Sequence, residues 1–338
     1  MELTAEQRDR ACGVLLATAA GDALGAGYEF GPPLPDDAPV SMRGGGACNW
    51  APGEWTDDTA MAIAIAEVAA TGADLRSVDA QDQIVARWVG WSRNAPDVGI
   101  QTSQVLGQVL DGGVSGAAAA ALAASADLHE RTGHTAGNGS LMRTGPVALA
   151  YLDDPDGLAE AALAVSALTH FDRSAGEACV LWCLAIRHAV LTGELDARAG
   201  LGYLPARTVD VWTARLVEAE KSRPSDFSSN GWVVEALQAA WCAIVTAANF
   251  LPGDGGEGGA SQADHLKLSL ENAVRGGRDA DTVAAIAGGL VGAAYGASAV
   301  PEDWRSAIHG WPEYNATDLI RLVSEIAACA RQSRSPAN

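Results

Sequence analysis

The sequence predicts an all-α fold, a compact single-domain helical bundle over residues 1–338. Three observations carry that expectation. Apolar residues recur with helical spacing along nearly the whole chain, while the alternation that marks strands is scarce. Hydrophobic residues make up 48% of the chain, enough for a large core at this length. The 38 glycines and abundant alanines suit tight helix packing and sharp loops.

The first helix is expected over residues 5–20, where LTAEQ supplies a capping threonine and a capping acid. The short apolar run that follows is not a signal sequence, because Glu2 and Glu6 stand where a basic leader would. Further helices are expected over 59–70, 79–92, 102–111, 116–130, 156–169, 174–192, 208–222, 231–248, 263–274, 282–296 and 317–331. The breaks carry GPPLPDDAP at 31–39, SRPSDFSSNG at 222–231 and LPGDGGEGGAS at 251–261, and none is long enough for a domain linker. The glycine-rich stretch at 253–259 lacks lysine and carries Asp254 and Glu257, which repel phosphate, so a flexible loop is expected there. No run approaches the ~18 apolar residues of a membrane span.

The 22 basic and 42 acidic residues give a formal charge of −20, which disfavours nucleic acid and anionic membranes as partners and suits cationic or peptide-borne substrates. The six cysteines are scattered and read as buried thiols. With no leader and no disulfide pattern, a cytoplasmic protein is expected, and with no sign of an obligate partner, a monomer.

The unusual feature is WTDDTAMAIAIAEVAA at 55–70, where adjacent carboxylates open an Ala/Ile-rich helix. Thr and Asp at a helix start are ordinarily caps, satisfying free N–H groups and the helix dipole. The construction recurs in DADTVAAIAGGLVGAAYG at 279–296. Small-residue helices packed side by side would bring both acidic starts to one place, where Asp57, Asp58, Asp279 and Asp281 require a cation. All-oxygen ligation points to Mg²⁺ or Mn²⁺, and more than one carboxylate per ion points to two ions.

Elsewhere the same residues admit two readings. In GNGSLMR, Gly137 and Gly139 free the backbone to form an anion nest to which Ser140 adds a hydroxyl, or simply a tight loop before a helix. Arg143 either neutralises a phosphate or pairs with a nearby acid. His170 ends an apolar helix, as caps and half-buried histidines do. Trp50, Trp88 and Trp91 either pack in the core, the commoner fate, or stack on a base. Glu29 and Asp97 are ordinary loop acids when read alone.

Read together, GDALGAGYEF at 21–30, WTDDTAM at 55–61, APDVGIQT at 95–102, GNGSLMR at 137–143, THFDRSAGEA at 169–178 and DADTVAAIAGGLVGAAYG resemble, in order and along nearly the whole chain, the ADP-ribosylglycohydrolase family. That family includes dinitrogenase reductase-activating glycohydrolases and ADP-ribosylarginine hydrolases. The resemblance implies a compact all-α domain with a binuclear magnesium or manganese centre. It makes Thr56, Asp57, Asp58, Asp279, Asp281 and Thr282 the ligands, with Asp281 as bridge, and Gly137, Asn138, Gly139 and Ser140 the cradle for the ADP-ribose pyrophosphate. It puts His170 near the phosphates or ribose, Glu29 in a mobile flap over the metals and Asp97 beside the scissile ribose.

N-glycosidic cleavage passes through an oxocarbenium-like state, so either Glu29 or Asp97 is the expected base for the attacking water. The implied substrate is ADP-ribose on an acceptor, foremost an arginine side chain of a protein. ADP-ribosylserine and O-acetyl-ADP-ribose are alternatives, as is a non-catalytic relative. One departure from the family pattern is Arg278, where a small residue is usual before the second acidic motif; it is expected to face solvent or a substrate phosphate.

Overall fold

The computed structural model describes residues 2–109, 114–248 and 261–332. Among them the helices run in chain order: α1 (Ala5–Gly25), α2 (Asp57–Ala69), α3 (Val78–Ser92), α4 (Ile100–Leu106), α5 (Ala117–Thr132), α6 (Gly145–Ala150), α7 (Pro155–Ala167), α8 (Arg173–Thr192), α9 (Ala206–Ala219), α10 (Val233–Ala247), α11 (Gln262–Arg275), α12 (Ala280–Tyr295), α13 (Glu302–Ala307) and α14 (Ala316–Gln332). The sheet among them is one antiparallel pair, His309–Gly310 with Tyr314–Asn315. The all-α expectation holds, and each expected helix is present with shifted ends. Helices α6 and α13 are additions, each of six residues and too short to show a helical period in sequence. The glycine-rich stretch at 253–259 and the end of the helix expected over 102–111 lie outside the described residues.

Helix α1 begins with a capping box in which Thr4 Oγ1 accepts the Gln7 N–H at 3.1 Å and Gln7 Oε1 accepts the Thr4 N–H at 3.0 Å. Gln7, not the acid Glu6, closes the box, because only the third helical residue reaches back to the cap. The helix then runs to Gly25, well past residue 20, since its glycines are places of contact rather than breaks. Cβ atoms on Gly13, Gly21 and Gly25 would collide with the backbone of Gly292, Ala284 and Asp281, and one on Gly288 with that of Ala17. Helices α1 and α12 thus pack backbone to backbone, and α12 is buried from Ala280 to Ala294.

That pairing corrects the expectation that the two acidic helices lie along each other. Helix α12 packs along α1 and touches α2 far less extensively. The acidic starts meet because α1 holds both.

The surrounding core is one buried apolar cluster. Its large aromatics keep their polar atoms satisfied: the indole N–H groups of Trp88 and Trp182 donate to Met61 O and Ile286 O at 3.1 and 3.0 Å. Trp50, Trp88 and Trp91 are buried, which removes them as stacking platforms. Cys179, Cys183 and Cys242 are buried thiols, whereas Cys12, Cys48 and Cys329 are only partly covered. Helices α1 and α8 are each long and apolar enough to cross a membrane, contrary to the reading from apolar runs, but most of each lies inside the fold.

Candidate metal and substrate site

The acidic centre starts from α1. Asp22 is wholly buried, and its carboxylate accepts the Thr56 N–H at 2.8 Å, the Thr59 N–H at 2.9 Å and the Thr59 hydroxyl at 2.6 Å. Asp22 therefore caps α2 from a neighbouring helix. Thr56, the residue before the helix, makes no cap through its own side chain. Its hydroxyl instead donates to Asp58 Oδ2 at 3.1 Å and lies 3.4 Å from Asp57 Oδ1. With the orphan N–H groups of α2 served from outside, Asp57 and Asp58 are not needed as caps.

The second acidic start arrives through Gly25. The absent Cβ lets the α1 backbone lie against Asp281, which sets Asp281 beside Asp22 and Asp58. Oxygen atoms of Asp22, Asp58 and Asp281 lie within 4.8 Å of one another, as do those of Glu29, Asp279 and Asp281. Asp281 belongs to both groups. Thr282 donates its N–H to Asp281 Oδ1 at 2.9 Å and its hydroxyl to Asp58 Oδ2 at 3.4 Å.

The electrostatics are those of carboxylates lacking a counter-ion. Burial raises every one of them, and mutual repulsion adds to it at Glu29, Asp57, Asp58 and Asp281. The Asp22 carboxyl is pushed up to about 6, Asp57 to about 8 and Glu29 to about 9. Asp58 and Asp281 lie well above the ordinary range, and burial also lifts Asp279 and Asp97. Asp58 Oδ1 is buried with no hydrogen-bond partner. The donors are hard oxygens, two hydroxyls among them, and they fit Mg²⁺ or Mn²⁺.

Glu29 and Asp97 take different places. Glu29 ends the 3-10 turn Ala26–Tyr28 and joins the donor set, which the reading of a mobile flap above the metals did not foresee. The segment after it is clamped: Phe30 N–H donates to Arg278 O at 2.6 Å and Arg278 N–H to Gly31 O at 2.7 Å. Half-buried Asp97 stands outside both groups of donors. The adjacent Gly99 N–H donates to Asp57.

Arg278 has φ 61°, the left-handed conformation that glycine adopts without strain, which is a physical reason for a small residue at this position. Its guanidinium faces neither solvent nor a substrate phosphate; it donates to the carbonyls of Ser225 and Gly276 at 3.2 and 3.4 Å.

The glycine-rich turn departs from the nest reading in two of its members. The N–H of Asn138 donates to Gly231 O at 3.1 Å, and its side-chain amide donates to Asp279 Oδ2 and Asn230 O at 2.8 and 2.9 Å. Asn138 ties the turn to the acidic centre. Ser140 is buried, its hydroxyl receiving Ser166 Oγ at 2.9 Å and Cys179 Sγ at 3.5 Å, so it points into the core and not toward a ligand. Gly137 and Gly139 remain at the opening: Cβ atoms there would sit 3.3 and 3.1 Å from His170 Nε2. His170 is 2% exposed, its Nδ1 2.7 Å from Thr169 Oγ1. From this turn a cleft lined by Gln101, His134, Gly137, Asp172, Ser174 and half-exposed Trp232 runs outward.

Sequence reasoning missed Asp22, Asn230 and Trp232. Asp22 was visible only as an acid inside the apolar stretch of α1, where a buried charge needs partners. Asn230, whose side chain binds Gly277 O and the Asp279 N–H, left no local signal.

An acidic centre held by small-residue helices beside a glycine-rich turn defines a class of hydrolases, and the family model described as ADP-ribosylglycohydrolase matches residues 3–336. The chain belongs to the ADP-ribosylglycohydrolase family and is a glycohydrolase enzyme. It is 31% identical over 313 residues to the "ADP-ribosylarginine hydrolase Tri1" of Pseudomonas putida (strain GB-1), covering 89% of this chain and 75% of that protein. Over 306 residues it is 29% identical to the "ADP-ribosyl-[dinitrogen reductase] glycohydrolase" of Rhodospirillum rubrum, covering 88% and 90%. A solved "ADP-ribosylglycohydrolase-related protein complex" superposes with a TM-score of 0.68 at 28% identity, over 97% of this chain and all of that one.

Proposed function

We propose that the protein hydrolyses the bond between ADP-ribose and an arginine side chain of a modified protein, and that it does so with two divalent cations. The observation that carries the metal reading is the buried carboxylate cluster with an orphaned oxygen on Asp58 and no basic partner. Burying unpaired carboxylates costs several kcal/mol each, on the order of a whole domain's stability when summed, unless a cation enters.

Thr56, Asp57, Asp58, Asp279, Asp281 and Thr282 would hold the ions, with Asp22 and Glu29 against them. When bound, Mg²⁺ or Mn²⁺ supplies positive charge that neutralises the carboxylates and polarises substrate and water oxygens. The chain's own residues do the rest. The turn at Gly137 and Gly139 admits the substrate next to the Nε2 of His170, and the cleft toward Trp232 gives the nucleotide an aromatic wall. Asp97, outside the donor groups, takes the proton from water as its oxygen bonds to the anomeric carbon and the guanidine nitrogen departs. A guanidinium acceptor suits a mouth lined by Asp97, Glu29 and Asp57, and two relatives carry arginine in their names.

The test is release of ADP-ribose from ADP-ribosylarginine, ADP-ribosylserine and O-acetyl-ADP-ribose, before and after chelation. Arginine-linked release that stops in chelator and returns with Mg²⁺ or Mn²⁺ is expected. Release from serine or acetyl linkages alone overturns the acceptor, and full activity in excess chelator overturns the metal dependence.

A further inference from the structure

We propose that Arg143 is a positioning residue that acts through Thr169 to fix which ring nitrogen of His170 carries the proton. Arg143 is wholly buried, where an arginine is rarely found without a carboxylate. Among the described residues it has none. Its Nη2 donates to Thr169 Oγ1 at 2.6 Å, its Nη1 lies 3.6 Å from Met61 Sδ, its guanidinium carbon sits 3.9 Å over the Trp88 ring, and its Nε has no partner. Sealed in this way, it neither reaches a substrate phosphate nor forms the salt bridge that the sequence suggested. Burial lowers it to about 9, so it remains charged at neutral pH.

The consequence follows from counting protons. A threonine hydroxyl has one proton and two lone pairs. Arg143 occupies a lone pair of Thr169 Oγ1, and the other contact of that oxygen is His170 Nδ1 at 2.7 Å. Were the ring to donate there, the hydroxyl proton of fully buried Thr169 would be left without an acceptor, at a cost of about 1–3 kcal/mol. The hydroxyl therefore donates to Nδ1, and the imidazole proton sits on Nε2. Burial and the Arg143 charge both hold the ring neutral. Nε2 faces the space that the missing side chains of Gly137 and Gly139 leave open. His170 thus presents a fixed N–H to an oxygen of the substrate; that this oxygen belongs to ADP-ribose rests on the proposed function.

The experiment is ¹⁵N NMR of the histidine rings with ADP-ribose binding measured on the same samples, for wild type, Thr169→Val, Thr169→Ser and Arg143→Met. Wild type and Thr169→Ser should show the Nε2–H form of His170. Thr169→Val and Arg143→Met should lose that single form and weaken ADP-ribose binding at least tenfold. An Nδ1–H ring in wild type overturns the proposal, as does a Thr169→Val protein with unchanged tautomer and affinity, which keeps the test independent of whether Arg143→Met folds. If the tautomers behave as expected but wild type does not bind ADP-ribose, the relay stands and the substrate reading falls.

Discussion

Asp22 holds Thr59 twice, with one carboxylate oxygen accepting both its N–H at 2.9 Å and its hydroxyl at 2.6 Å. The cap of α2 therefore comes from α1, and Asp22→Ala and Asp58→Ala should act in opposite directions. Loss of the cap should destabilise the protein by about 1–2 kcal/mol. Asp58→Ala relieves repulsion, so in chelator it should melt above wild type and lose the thermal gain that Mg²⁺ or Mn²⁺ gives wild type. Melting curves of both variants with and without divalent ions decide this; equal destabilisation in chelator would count against it.

The raised carboxyls set the pH dependence of the metal-free protein. A carboxyl whose folded value lies above its unfolded value, near 4, stabilises the fold at low pH and loses that contribution as pH rises through the folded value. Asp22 at about 6, Asp57 at about 8 and Glu29 at about 9 place the loss between roughly pH 5 and 9. Urea midpoints in chelator should fall across that window, and saturating Mg²⁺ should flatten the curve. Flat midpoints without metal would contradict the cluster's electrostatics.

Gly25→Ala should damage the centre without touching a ligand. The added methyl meets the Asp281 backbone, and overpacking of this kind costs about 1–3 kcal/mol. The lower stability should come with weaker divalent binding by calorimetry. Gly90, in α3 with open space around it, is the control: its change to Ala should be neutral or stabilising by up to about 1 kcal/mol.

Ser140→Ala should behave as a core substitution. The buried hydroxyl accepts from Ser166 and Cys179, so its loss should cost about 1 kcal/mol of stability while KM stays within a factor of two. A tenfold rise in KM at unchanged stability would restore the hydroxyl to the ligand side.

The sequence by itself determined the helices and the two acidic starts, because periodicity and composition are local properties that survive in a string of letters. TDDT and DADT could be paired from sequence alone, since the same chemistry was written twice. What served them could not be. Asp22 is far from Thr59 in the chain and adjacent to it only after α1 and α12 close on each other at Gly25 and Asp281. Tertiary packing alone decided that Ser140 turns inward, that Asn138 braces Asp279 and that Arg143 lies sealed against Trp88. Each depends on which side chain fills the remaining space and which donor finds a free acceptor, and those are set by residues distant in sequence and near only in the fold.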